Sequence, residues 1–338
     1  MDELDLQKYL QSTYPNRKDV HLTNVQNITS GWETEILAFD LEWHEKGVGM
    51  NQKLVARIYP GKNAPRKAEK ESSTMKLIQE LGYPVPEVHI VELELRHIGQ
   101  PFVIMDRIEG GTIDEKLHED QEKWFQVFNQ LFVDLHQLDW RKKHPHASSI
   151  PTDDPFLYIN TKLHDCENQL QYFKKSELLP IVEWMRKRIK DVPCKTLSII
   201  HGDFHTFNIL IDKMDRPYVI DWGASSIADR RADVAWTLLL SYAYDSRQLR
   251  DRILSGYENT LGNSLEQIEY FEVLATFRRL VDVTSSIELG AGERGLRPEA
   301  VEMMKESAGH IDRVRQRLLE LTNISIPEID RFVENLMG

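Results

Sequence analysis

The stretch HGDFHTFNILIDKMDRPYVIDW, residues 201–222, constrains this chain more than any other, because it sets Asp203, Asn208 and Asp221 around two short apolar runs. FNILID and PYVID are rich in residues that suit a pleated strand, and KMDR between them is a polar turn, so the stretch reads as a hairpin. Asp203 and Asn208 then lie in the loop entering the first strand, and Asp221 ends the second. Pairing of the two strands would carry three oxygen-bearing side chains to one edge.

A chain of 338 residues is long enough for two ordinary domains or one large two-lobed unit. Its 42 basic and 54 acidic residues leave a formal charge of −12. That balance argues against nucleic acid as a partner and is compatible with a cationic substrate, although solubility alone is the plainer account. Cys166 and Cys194 stand in no metal-ligand spacing and suggest no disulfide scaffold, which fits a reducing cytoplasm. The start MDELDLQKYLQSTYPNRK lacks a basic segment followed by an apolar one, and the apolar stretch VAWTLLLSYAY is only eleven residues, too short to span a bilayer. Neither export nor membrane insertion is expected.

Two halves differ in character. The N-terminal part alternates strand-like pieces (ILAFDLEW, KLVARIYP, VHIVELEL, PFVIMDRI) with one helix-like piece, KAEKESSTMKLIQELG, which ends at Gly82. That order predicts a small sheet with one helix. From Gly110 onward the pattern is mostly helical: Thr112 and Glu115 make a capping box, and Trp124, Phe128, Leu131, Leu135 and Leu138 recur at spacings of four and three. Further amphipathic segments are expected at about 161–190, 228–259, 264–290 and 298–321. The boundary falls near 106–111, giving lobes of 1–106 and 107–338.

A phosphoryl-transfer site needs a carboxylate near the attacking hydroxyl, a second carboxylate and an amide oxygen for magnesium, and a cation on the nucleotide phosphates. The hairpin stretch offers the first three. The Asp-to-Asn interval in HGDFHTFN is that of the kinase catalytic loop H-x-D-x-x-x-x-N, and Asp221 before Trp222 and Gly223 sits where a D-F-G-like metal ligand would come. On spacing alone, a polar turn capped by Asx side chains accounts for the same letters.

Further motifs separate these alternatives. HGDFHTFNIL and VIDWGASSIADRRADVAW resemble the catalytic and metal-binding motifs of the aminoglycoside phosphotransferase and choline kinase-like family. LVARIYPG looks like that family's third strand, PFVIMDRIEGG like its linker between lobes and LFVDLHQLD like a helix of its larger lobe, all in the family's order. The resemblance runs over about residues 25–290. It implies an α+β, two-lobed protein-kinase-like fold, with a small N-terminal β-sheet lobe bearing one main helix and a larger, mostly helical C-terminal lobe. The first lobe, 1–106, would bind nucleotide, and the second, 107–338, would carry catalysis and the acceptor.

Asp203 is the candidate base, since a carboxylate within reach of a hydroxyl can orient it and accept its proton. Asn208 and Asp221 offer a neutral and a charged oxygen that together suit Mg2+. The resemblance places Arg57 on the nucleotide phosphates and Glu71 as the helix acid that pairs with it. A guanidinium, always charged and able to grip phosphate bidentately, keeps the task that a lysine performs in protein kinases. The loop ITSGWETEIL has only Gly31 to let backbone approach phosphate, so Ser30, Gly31 and Glu33 to Glu35 would form a looser lid or simply a hairpin turn. Met105 to Ile108, flanked by Ala56, Leu210 and Ile220, would wall an adenine slot, with core packing as the competing account for each.

The resemblance assigns His201 to bracing the loop and Asp233 to tying that loop to the larger lobe. Asp229 and Asp233 would share a helix face if a helix begins there. Trp222 and Trp236 would border the acceptor or belong to the core, and Asp282, Glu288 and Glu293 would receive a cationic acceptor or stand solvated. The expected function is ATP- and Mg2+-dependent transfer of the γ-phosphoryl group to a hydroxyl of a small molecule: an aminoglycoside, amino alcohol, amino acid or sugar. A silent nucleotide-binding module and a kinase of peptide or protein acceptors are the alternatives.

Overall fold

The computed structural model describes residues 3–28, 34–151, 153–290, 298–306 and 308–337. Two units divide the chain: Met1–Ile113 with Phe207–Gly223, and Asp114–Thr206 with Ala224–Arg294 and Pro298–Gly338.

The first unit opens with α1 (Glu3–Thr13) and builds an antiparallel sheet from β1 (Lys18–Ile28), β2 (Glu35–Glu45), β3 (Val48–Ile58), β4 (Val88–Glu92) and β5 (Phe102–Asp106), in the order β1-β2-β3-β5-β4. α2 (Ala64–Glu80) follows β3. All four expected strands and the expected helix are present. β2 and β3 meet in a two-residue turn, Glu45 opposite Val48, where Lys46 and Gly47 take φ of 50° and 81°. Two left-handed residues make the turn whose twist matches that of paired strands. Leu54, Ala56 and Ile58 alternate into a core with Phe39, Leu41, Phe102 and Ile104, which Leu6 and Leu10 of α1 also enter. β1 escapes sequence reading because only Val20 and Leu22 of its eleven residues are buried, and its pairing with β2 slips twice.

The hairpin forms as expected, from β8 (Ile209–Asp212) and β9 (Pro217–Val219), and it belongs to this same unit. Asp212 Oδ1 accepts from the backbone N–H groups of Met214 and Arg216 at 2.8 and 2.9 Å, which folds the KMDR turn back on itself. β8 also pairs with β6 (Gly110–Thr112). Only glycine fits at 110, since a Cβ there would lie 1.8 Å from the Ile211 carbonyl oxygen.

The second unit is mostly helical. After the short α3 (Ile113–Leu117) come α4 (Gln121–Gln137), α5 (Leu157–Phe173), α6 (Leu179–Arg186), the paired strands β7 (Leu197–Ile200) and β10 (Ser226–Asp229), α7 (Arg230–Tyr244), α8 (Arg247–Leu261), α9 (Ile268–Leu289), α10 (Pro298–Glu306), α11 (Gly309–Thr322) and α12 (Pro327–Met337). Most of the long helices read from periodicity are interrupted. α4 has its own N-cap, Asp120, which accepts from Lys123 N at 3.1 Å, so the Thr112 signal opens only α3. Lys174 turns left-handed after α5, and Ser246 caps α8 by accepting from Leu249 N. Hydrophobic period continues across such breaks, whereas capping residues decide where the backbone leaves the helix.

Phe128 and Phe132 of α4 pack on Phe204, with the Phe132 and Phe204 rings stacked at 4.1 Å. Fully buried Glu272 of α9 takes Arg250 of α8 and Arg317 of α11, tying three helices through one carboxylate. No helix among the described residues is long and apolar enough to cross a membrane. Phe132→Ala removes a fully buried ring and should destabilise the protein by about 3–5 kcal/mol, read as a lowered guanidinium midpoint in fluorescence-monitored unfolding.

Candidate functional site

In the first unit, β3 points Ala56 and Ile58 into the core and so turns Arg57 to the opposite face. Its guanidinium meets two carboxylates: Nη1 lies 3.2 Å from Glu71 Oε1 of α2, and Nη2 donates to Asp221 Oδ1 at 2.7 Å. Glu71 Oε2 accepts from the Tyr59 hydroxyl at 2.8 Å. Burial disfavours charge on Arg57, yet Glu71 and Asp221 outweigh it and hold the guanidinium firmly charged. Burial likewise pushes the Glu71 carboxyl up, against the opposing pull of Arg57. The expected partnership of Arg57 with Glu71 is thus present, and Asp221 joins it.

Asn208 immediately precedes β8 and Asp221 follows β9 by two residues, and the N–H of Ile220 donates to the Asn208 carbonyl at 3.0 Å. The hairpin therefore brings these two residues to one end, as expected from two apolar runs joined by the polar turn KMDR. Asp221 has a φ of 68°, a conformation that side chains other than those of Gly, Asn and Asp rarely adopt. An amide carbonyl and a carboxylate form an oxygen-only donor set, which fits magnesium.

The loop after β7 lies in the second unit and hangs on Asp233. Its fully buried carboxylate accepts from His201 N through Oδ2 and from Gly202 N through Oδ1, both at 2.7 Å. His136 Nε2 lies 3.1 Å from the same Oδ2, and its Nδ1 lies 2.8 Å from the Tyr257 hydroxyl. Gly202, at φ +80°, is required here, since a Cβ would come within 2.6 Å of the Ala224 carbonyl oxygen. The next residue is Asp203. Its N–H donates to His201 Nδ1 at 3.2 Å, its Oδ1 accepts from the Trp236 indole N–H at 2.8 Å, and its Oδ2 lies 3.6 Å from His205 Nε2. Burial works to raise the Asp203 carboxyl, but His205, the Trp236 N–H and His201 prevail and hold it well below the usual carboxylate range.

Met105 is buried opposite Val55, whereas Ile108, Leu210 and Ile220 are partly exposed and able to touch a ligand. Ala56 is fully buried and belongs to the core. Gly31, with Ser30 and Glu33, lies outside the described residues, as does Glu293. Trp222 is a core residue, fully buried and edge-on to Tyr83 at 5.9 Å. Asp229 does not share a helix face with Asp233, because it is the N-cap of α7 and accepts from Arg231 N. Glu288 is paired with Lys175 at 2.5 Å and Asp282 lies 3.8 Å from Arg278 Nε.

Sequence reading passed over Arg278. Its guanidinium lies over the Trp236 ring at 3.7 Å and donates from Nη1 to the Gly202 carbonyl at 2.8 Å, but an arginine in a late helix carries no signal of that placement. It also passed over Glu87, His89 and Asp106, whose ligating atoms lie within 4.8 Å of one another; His89 Nε2 is 2.7 Å from Asp106, which raises the imidazole's proton affinity. None of these three is among the residues expected from the motifs.

Comparison with known proteins agrees with the architecture. The profile of the phosphotransferase enzyme family matches residues 25–270. Among curated proteins, acyl-CoA dehydrogenase family member 10 of Mus musculus is 24% identical over 184 residues, which cover 52% of this chain and 17% of that protein. This chain therefore spans less than a fifth of that relative. Among solved structures, a candidate aminoglycoside phosphotransferase from Ralstonia eutropha superposes with a TM-score of 0.64 at 15% identity, covering 93% of this chain and 98% of the other. A spectinomycin phosphotransferase in complex with ADP and spectinomycin gives 0.56 at 12% identity, covering 99% of each chain. These likenesses show the fold: an α+β, kinase-like architecture with its antiparallel sheet toward the N-terminus and its helices toward the C-terminus.

Two outcomes follow from the loop geometry. Asp233→Ala leaves two buried N–H groups without an acceptor and should cost about 3–5 kcal/mol, seen as a lowered unfolding midpoint. A depressed folded-state pKa means that the stability Asp203 contributes is present above its unfolded value of about 4 and lost only as pH falls through the folded value. In ¹³C NMR its carboxylate resonance should not titrate between about pH 4 and 8; a titration inside that window would contradict the placement.

Proposed function

This chain belongs to the phosphotransferase enzyme family, and we propose that it moves the terminal phosphoryl group of ATP, with magnesium, onto a hydroxyl of a small molecule. The observation that supports this most is the binding of one guanidinium, Arg57, by both Glu71 and Asp221. A structural surface arginine does not need two carboxylates from distant parts of the chain. A cation that must be held in place for phosphate oxygens does.

Arg57 grips nucleotide phosphate oxygens while Glu71, itself held by Tyr59, fixes its direction. Asn208 and Asp221 would hold magnesium, which when bound would neutralise developing charge on the phosphate oxygens. Met105 to Ile108, with Leu210 and Ile220, receive the adenine ring. Asp203, kept ionised by its neighbours, accepts a hydrogen bond from the acceptor hydroxyl. It takes the proton as the hydroxyl oxygen bonds to the γ-phosphorus and the bond from that phosphorus to ADP breaks. Trp236 donates to Asp203 Oδ1, and His205 Nε2 stands 3.6 Å from Oδ2, so both neighbours favour the ionised carboxylate that this task requires.

Nucleotide binding is thus assigned to residues 1–106 with the hairpin, and proton acceptance to the C-terminal part. Cys166 and Cys194 are both free thiols, which supports the cytoplasm as the place of work. The nucleotide-bound relative supports ADP and ATP as the nucleotide pair, and its spectinomycin supports a small acceptor. Acceptor identity is sought by incubating the protein with Mg-ATP and a library of hydroxyl compounds while following ADP.

Asp203→Asn should slow turnover by about 10²–10⁴-fold with nucleotide affinity little changed. Asp221→Ala should instead weaken Mg-ATP binding, measured by titration calorimetry at fixed magnesium. Wild-type turnover in both variants would refute the proposal.

A further inference from the structure

The surroundings of Asp203 carry positive charge on an aromatic base. Arg278 lies 3.7 Å above the Trp236 ring, the indole N–H donates to Asp203, and Arg278 Nη1 reaches the carbonyl of Gly202, the residue before Asp203. These contacts set the guanidinium beside the carboxylate that receives the acceptor's proton. Arg279 extends the patch: it hydrogen-bonds the Tyr244 hydroxyl and lies 3.0 Å from His310 Nε2, and the His310 ring stacks on Tyr244 at 4.7 Å.

The partners of Arg278 decide what such a patch suits. A guanidinium has five N–H donors in a planar fork. Here Nη1 is taken by a neutral carbonyl, one face by an indole, and Asp282 stands 3.8 Å from Nε, beyond hydrogen-bond length. The side chain is 41% exposed, so the fork is open to an incoming group. A net charge of −12 gives no general reason for an arginine pair at this place. Of the acidic residues expected to receive an ammonium, Glu288 is bound by Lys175, Asp282 has Arg278 as a cationic neighbour at 3.8 Å, and Glu293 lies outside the described residues.

We propose that the acceptor carries an oxyanion, a carboxylate or a phosphate, close to the hydroxyl it presents to Asp203, and that Arg278 is the residue that selects for it. An oxyanion pairs with the fork and turns the adjoining hydroxyl toward the base. An ammonium in the same place meets like charge. This rests on the assignment of Asp203 as the base.

Four matched three-carbon probes separate the charges: glycerol, 3-amino-1,2-propanediol, glycerate and glycerol 3-phosphate. Binding is measured by saturation-transfer NMR with the full chain, without nucleotide and with saturating Mg-ADP, and turnover by ADP release from Mg-ATP. The anionic probes should bind at least about tenfold more tightly than the other two. Arg278→Ala should weaken the anions by about tenfold or more while moving glycerol less than about twofold, and Arg278→Lys should keep part of the preference. The better of the two anions tells carboxylate from phosphate.

Equal or better binding of glycerol or the amine overturns the proposal, as does unchanged anion binding in Arg278→Ala or binding of none of the probes. Weakening of all four alike would assign Arg278 to bracing the loop, and displacement of the anions by Mg-ADP would assign it to the nucleotide. ADP formed from neutral or cationic probes regardless of Arg278 leaves phosphoryl transfer standing and removes the anion preference. Arg278-dependent anion binding without ADP from any probe supports the preference and counts against phosphoryl transfer.

Discussion

The loop that carries Asp203 exists in its observed form because one buried carboxylate, Asp233, accepts two successive backbone N–H groups. A carboxylate out of contact with water is stable only when its oxygens are fully used, and here His136 completes the set. The consequence is directional. Fixing the N–H groups of His201 and Gly202 fixes the peptide that follows, and Gly202 tolerates the resulting left-handed turn against Ala224. Asp203 leaves that turn already bonded to Trp236 and near His205, so its side chain is oriented by groups that do not themselves react.

A comparable economy holds in the first unit, where Arg57 is the common partner of Glu71 and Asp221. Three charged groups, two of them largely buried, are compatible only because each reduces the desolvation cost of the next. The left-handed backbone at Asp221 is part of the same arrangement, since it lets a residue just past a strand end turn its carboxylate toward β3. In both units a carboxylate proposed to act in phosphoryl transfer is oriented by neighbours of fixed geometry rather than by its own strand or helix.

Trp236 links the two aspects of the second unit. Its indole is nearly buried, yet its N–H reaches Asp203 and its outer face carries Arg278. One residue thereby couples the packing of α7 to the protonation state of a loop carboxylate and to the charge beside it.

Local chemistry was legible from the letters alone. Short strand-like pieces foretold four strands of the sheet, and the turn KMDR between two short runs foretold the β8–β9 hairpin, because these depend on residues near each other in sequence. The resemblance likewise pointed to Arg57 with Glu71 and to Asp233 as the residue that ties down the loop, all carried by short motifs. Less legible were β1, whose buried face rests on two residues, and the ends of the helices, where Asp120 and Ser246 cap new helices inside a continuing apolar period. The condition on Asp229, a shared face if a helix begins there, is not met for the same reason: Asp229 is the cap of α7, which begins at Arg230.

Sequence alone therefore determined the residue types and spacings from which a phosphate-handling site can be built, since spacing within a hairpin or a helix translates directly into geometry. It did not determine which side chains surround Asp203. Trp236 follows it by 33 residues, and Arg278 bonds the loop across a separation of 76; only the folding of α7 and α9 around that loop puts an indole and a guanidinium within bonding distance. Contacts of that length depend on how helices pack, and packing is a property of the whole unit that no local pattern encodes.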